Sequence, residues 1–90
     1  MQYDANSLLA AIRAFGTQQG EYAHWQQVDP PQELDAVVMA VANRPRHIGV
    51  WVALDEGYIL HNLEQRGVVL SRVDELNHLN FQVYAYYRRR

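Results

Sequence analysis

The sequence predicts an α+β domain in which an N-terminal helix packs on a four- to five-stranded, mostly antiparallel sheet. Two observations carry this expectation. Leu8, Leu9, Ile12 and Phe15 recur at the spacing of one helical face. From residue 36 onwards the chain breaks instead into short runs rich in valine and tyrosine, separated by turn residues.

The elements follow in order. Asp4 is placed to cap a helix over residues 5–15, which Gly16 ends. "TQQGE" is a polar connector, and "YAHWQQVDPPQ" reads as loop with a short strand at 24–28, because adjacent prolines cannot continue a helix. "AVVMAV", bounded by "PPQELD" and "NRPR", has the texture of a buried strand. "HIGVWVAL", "YILHNL" and "VVL" are three further strands joined by short turns at "DEG" and "EQRG". Ser71 is placed to cap a helical turn over 73–78, and "NFQVYAYYR" closes the sheet.

Ninety residues, 49% hydrophobic and 20% charged, fit one globular domain spanning 1–90 and leave room for one site. No run reaches the roughly 20 apolar residues that cross a bilayer, and the N-terminus lacks a secretory signal pattern. The expectation is a soluble chain made in the bacterial cytoplasm, without membrane insertion. A net charge of −2 argues against a nucleic-acid partner, and the terminal Arg88, Arg89 and Arg90 read as a solvated tail. The sequence contains no cysteine, which removes disulfides, thiolate metal sites and a thiol nucleophile together.

The candidate chemistry lies in the hairpin "RHIGVWVALDEGYILHNLEQRGVVL". Side chains alternate along a strand, so Ile48, Val50, Val52 and Leu54 share a face that reads as core, while His47, Gly49, Trp51 and Ala53 share the other. Two registers are open. A three-residue loop, 55–57, sets His61 opposite Trp51 and leaves His47 roughly 13 Å away along the strand. A five-residue loop, 53–57, sets His61 opposite Gly49 with His47 as its diagonal neighbour at about 7 to 8 Å. Both registers place the histidines on one face, where one imidazole serves as base and a second polar group fixes its tautomer.

Other constellations are poorer. His24, His47, His61 and His78 have no recognised ligand spacing, so neither a metal nor a cofactor is expected. The serines are Ser7, in the first helical turn, and the capping Ser71. Tyr84, Tyr86 and Tyr87 read as sheet aromatics, and Gly49 as a strand position where a neighbour packs close.

Taken together, Leu34-Asp35, "HIGVW" and "YILH" resemble the NlpC-type, papain-like cell-wall peptidases, which show Gly-Asp, a His-Val-Gly-Ile-Tyr strand and a strand ending in a second His. The order of "W…V.PQ.GDVV.M", "HVGIYL", "LH.L..GV" and a closing "YYR" is similar to the branch found in tail-tip assembly proteins of long-tailed phages. Here these segments correspond to Trp25–Met39, His47–Val52, Leu60–Val69 and Tyr86–Arg88, so the resemblance covers about residues 25–88. It implies a reduced NlpC-like core in which His47 is the base and His61 its orienter. The family's nucleophile is a cysteine at the entrance of the first helix. Here the entrance reads "YDANSLL", so Ala5 stands at the position of the lost nucleophile, unless the cysteine-bearing segment is missing altogether.

The functional expectation is a catalytically inactive NlpC-like domain, with a vestigial histidine pair, serving as a structural or assembly component of a phage or prophage tail. Its partners would be other tail proteins or a host protein. The alternatives are a peptidoglycan hydrolase with a non-cysteine nucleophile such as Ser7, and a small protein-binding regulator on the same scaffold.

Overall fold

The computed structural model describes residues 21, 22 and 25–90, which form a single antiparallel sheet in the order β1-β2-β7-β3-β4-β5-β6. The strands are β1 (Glu21–Tyr22), β2 (Trp25–Val28), β3 (Ala36–Val41), β4 (Arg44–Val52), β5 (Tyr58–Leu63), β6 (Gly67–Ser71) and β7 (Gln82–Arg89). A 3-10 helix over Val73–Leu79 carries the chain from edge strand β6 back to the middle of the sheet, where β7 pairs with both β2 and β3.

The apolar run of β3 is central because it is buried on both faces, with Ala36, Val37, Val38 and Met39 fully enclosed. On one face Trp25, Ala36, Val38, Ala85 and Tyr87 pack together, joined by Ile48 and Tyr84. On the other, Val37, Met39, Ile59 and Leu76 pack with Trp51, Phe81, Val83 and Tyr86. The histidine face of β4 is therefore core as well. Leu54, assigned above to the buried face, lies in the β4–β5 loop and is exposed.

The expected α+β class is corrected to a small, all-β-like fold. Among the described residues the 3-10 helix is the one helical element, and the sheet has six strands of four residues or more plus the two-residue β1. The short strand expected at 24–28 is present as Trp25–Val28, but it lies against Tyr86–Arg89, a pairing distant in sequence that local periodicity does not reveal. The helix expected over 5–15, and with it Ala5 and Ser7, lies outside the described residues.

Two motif positions meet at the start of β3. Arg88 donates from Nε to Asp35 Oδ1 (2.9 Å) and from Nη2 to Asp35 Oδ2 (2.8 Å), a bidentate pair on a buried carboxylate. Arg88 thus belongs to the sheet rather than to a solvated tail. Asp35 Oδ2 also accepts the Gln32 N–H at 2.7 Å, so one side chain fixes both the turn into β3 and the end of β7.

The preceding Leu34 has φ +68°, a left-handed conformation that costs a residue with a Cβ about 1 to 2 kcal/mol. Its N–H donates to the Trp51 carbonyl at 2.8 Å, which holds the backbone in place, and its side chain is 47% exposed. Replacing Leu34 by glycine removes the strain at a cost of about 0.5 to 1 kcal/mol in unfolded-chain entropy. Leu34→Gly is expected to raise the melting temperature by a few degrees, whereas Leu34→Ala, which keeps the Cβ, is not. Equal gains from both variants in thermal melts would show that φ is not the cause.

Candidate functional site

The β4–β5 hairpin resolves the open register. Val50 pairs with Leu60, Trp51 with Ile59 and Val52 with Tyr58, leaving a five-residue loop. Continuing that ladder sets Gly49 opposite His61, and His47 becomes the diagonal neighbour. A Cβ on Gly49 would lie 2.6 Å from Ile59 Cγ2, 2.9 Å from the Leu60 carbonyl oxygen and 3.1 Å from His61 Cβ. The glycine is what lets β5 and its histidine come this close.

The two imidazoles meet at 3.1 Å between His47 Nε2 and His61 Nδ1. On its far side, His61 Nε2 is 2.9 Å from Ser71 Oγ. His61 is 3% exposed, and Ser71 is also buried. His47 is half-buried, and its ring stacks on Phe81 with centroids 5.0 Å apart and planes at 17°. A three-member chain, Ser71–His61–His47, thus runs across the sheet, its outer ring clamped by an aromatic.

Ser71 was read from sequence as a helix cap. That position is corrected: Arg72 is the N-cap of the 3-10 helix, its N–H donating to Glu75 Oε1 at 2.8 Å. The sequence did hold a signal for its actual role. His61 pairs with Val69 and Ile59 with Ser71, so Ser71 lies on the face of His61, one diagonal step away.

Two hydrogen-bond polarities satisfy this chain. In one, His47 Nε2–H donates to His61 Nδ1 and His61 Nε2–H donates to Ser71 Oγ, leaving the lone pair of His47 Nδ1 free as a base. In the other, the Ser71 hydroxyl donates to His61 Nε2 and His61 Nδ1–H donates to His47 Nε2, so that His47 Nδ1 carries a proton. Interconverting them requires a proton to enter at His47 Nδ1 from outside the chain and another to leave Ser71 Oγ, so the polarity of the chain decides whether His47 Nδ1 accepts or donates.

The remaining candidates do not join this group. His78 is exposed on the 3-10 helix, and His24 lies outside the described residues. No cluster of three or more histidine, aspartate or glutamate side chains suited to a metal forms among the described residues. Tyr87 is core, while Tyr86 makes an edge contact with Trp51 at 5.7 Å. Among the described residues no helix is long and apolar enough to cross a membrane.

Comparison with protein-family models, with curated proteins and with solved structures gave no match in any of the three.

Burial pushes the pKa of His47 below the ordinary histidine value. Burial does the same to His61, and the neighbouring His47 adds to the effect. In the unfolded chain both titrate near 6.5. As pH falls below that value the unfolded state takes up protons that the folded state refuses, so stability is complete above about pH 6.5 and is lost towards the lower folded pKa values. The melting temperature is expected to drop between pH 7 and 5, before carboxylates titrate, and to drop less in His47→Gln. An unchanged slope in that variant would exclude the pair as the cause.

Ser71→Ala leaves buried His61 Nε2 without its partner. The expected loss is about 1 to 3 kcal/mol by denaturant unfolding at pH 7.5; a neutral result would mean that Ser71 does not complete the chain.

Proposed function

We propose that this chain is a catalytically inactive NlpC-like domain that acts as a structural or assembly component of a phage or prophage tail. The observation that carries this reading is a hydrogen-bonded histidine chain in a sequence with no cysteine. On the family resemblance His47 would be the base and His61 its orienter, and this sequence supplies no thiol for them to activate.

Two further features support the family resemblance on which the proposal rests. Leu34 takes up a left-handed φ at the position where the family has the glycine of Gly-Asp, a conformation glycine adopts without strain. The aspartate of that motif and the arginine of the closing "YYR" are bonded to one another.

The assembly role draws on the opposite side of the sheet. Leu60 pairs with Leu70, and Val68 lies beside them on the face away from His61. These side chains are 38%, 51% and 68% exposed, respectively for Leu60, Leu70 and Val68. They adjoin β6, whose outer side pairs with no strand among the described residues. Neither proline nor charge interrupts "GVVLS", so this edge lacks the usual protection against pairing with another chain. An exposed apolar stripe beside an open edge suits a protein partner better than a soluble substrate.

Two measurements test the proposal. Purified protein incubated with peptidoglycan is expected to release no peptides; release that vanishes in His47→Ala would overturn the inactive reading. In a lysogen that produces tailed particles, the chain is expected by mass spectrometry in purified particles and is expected to be lost from them in Val68→Glu/Leu70→Glu. These surface changes are expected to leave the melting temperature within a few degrees. Particles that never contain the wild-type chain would overturn the tail assignment.

A further inference from the structure

A shallow groove of about 610 Å³ opens beside the histidine chain, between the β3–β4 turn, the end of the 3-10 helix and the start of β7. Its polar lining consists of Asn43, Asn77, Asn80 and Gln82, beside Phe81, and among the described residues it includes no charged side chain. That neutrality is selective in a chain where one residue in five is charged, 20%. All four amide residues are exposed. We infer that this groove binds a neutral, hydroxyl-rich ligand of the saccharide class, a site that does not depend on the assembly reading above.

The chemistry of the lining supports the ligand class. Each side-chain amide presents a carbonyl acceptor and two N–H donors side by side. A sugar hydroxyl is likewise donor and acceptor at once, so amides and hydroxyls bond in pairs without bringing a charge out of water. Phe81 also lines the groove and adds apolar surface for the C–H face of a ring. Because Phe81 also stacks on His47, a ligand seated here lies next to the outer end of the histidine chain.

Backbone conformation accounts for two of the four amides. Asn43 (φ 65°) and Asn80 (φ 64°) are left-handed, where asparagine is favoured for local reasons. Asn77 and Gln82 have no such reason. Asparagine is a poor helix former, and neither side chain hydrogen-bonds to another described residue, so these two carry the inference. An extended peptide is the weaker fit. Peptides that add to a sheet are held through a row of backbone groups along a strand edge, and among the described residues neither edge strand, β1 nor β6, lines the groove.

The test is a titration of the ¹⁵N-labelled chain with two neutral probes, cellotriose and chitotriose, and with trialanine amide at matched concentration. At least one saccharide is expected to shift the side-chain amide signals of Asn77 and Gln82, with Kd on the order of millimolar. Asn77→Ala/Gln82→Ala is expected to weaken it about tenfold or more, which corresponds to the loss of one or two hydrogen bonds. The near-isosteric Asn77→Asp, which removes two donors and adds a charge, is expected to weaken binding on its own. Absence of shifts at about twenty times that Kd range would overturn the inference. So would shifts unaltered in the variants, or a response to trialanine amide alone. These readouts involve neither cleavage nor particle assembly, so failure of the site and failure of the proposed function are distinguishable.

Discussion

Ala36 to Met39 of strand β3 have no solvent on either side, and the architecture follows from that constraint. A central strand buried on both faces needs hydrogen-bonded neighbours along both edges and cover above and below it. β4 and β7 supply the edges. Trp25 and Tyr87 contribute cover on one face, while Leu76, Phe81 and Tyr86 contribute it on the other. The 3-10 helix meets both demands at once, placing Leu76 over β3 while returning the chain from edge strand β6 to the slot that β7 fills. The Asp35–Arg88 pair then ties the entrance of β3 to the end of β7.

Much of this was legible in the chain, for reasons that particular residues make clear. "AVVMAV" and "YILHNL" coincide with β3 and β5 because their composition and bounding turn residues leave little alternative. The shared face of His47 and His61 was also readable, since alternation alone sets it. Their contact was not. Loops of three and of five residues both preserve the alternation, and the choice is made by shape, with a strand lacking a Cβ at residue 49 able to accept the β branch of Ile59, the carbonyl of Leu60 and the Cβ of His61. Fold class was the larger error. Strand β2 stands where a short strand is expected, but its partner is some sixty residues away, at Arg89 for Trp25. Pairing at that separation leaves no local trace. Ser71 was missed because a serine followed by acidic residues has the pattern of a helix cap, and the boundary moved by one residue.

The sheet separates two kinds of surface. The histidine face is closed by the 3-10 helix and aromatic side chains, and its polar groups are joined in one chain of hydrogen bonds. Beyond Tyr58, where the Arg72 guanidinium lies 4.7 Å from the ring centre, the other face of β5 and β6 is open and apolar. Opposite faces of one sheet do not compete for the same occupant, so a partner seated on the apolar stripe would leave the histidine chain untouched.

The hydrogen bonds from Ser71 to His47 perform two physical tasks, and only one requires a nucleophile. They orient His47, which matters for catalysis when a thiol faces it. They also satisfy the buried ring nitrogens of His61 and the hydroxyl of Ser71, which matters whether or not any reaction occurs, because an unmatched polar atom in this core is costly. Replacing His61 by an apolar residue would require Ser71 and His47 to find new partners together. A chain lacking a thiol therefore still has a stability reason to keep its histidine pair, and the geometry of a base is what that packing preserves.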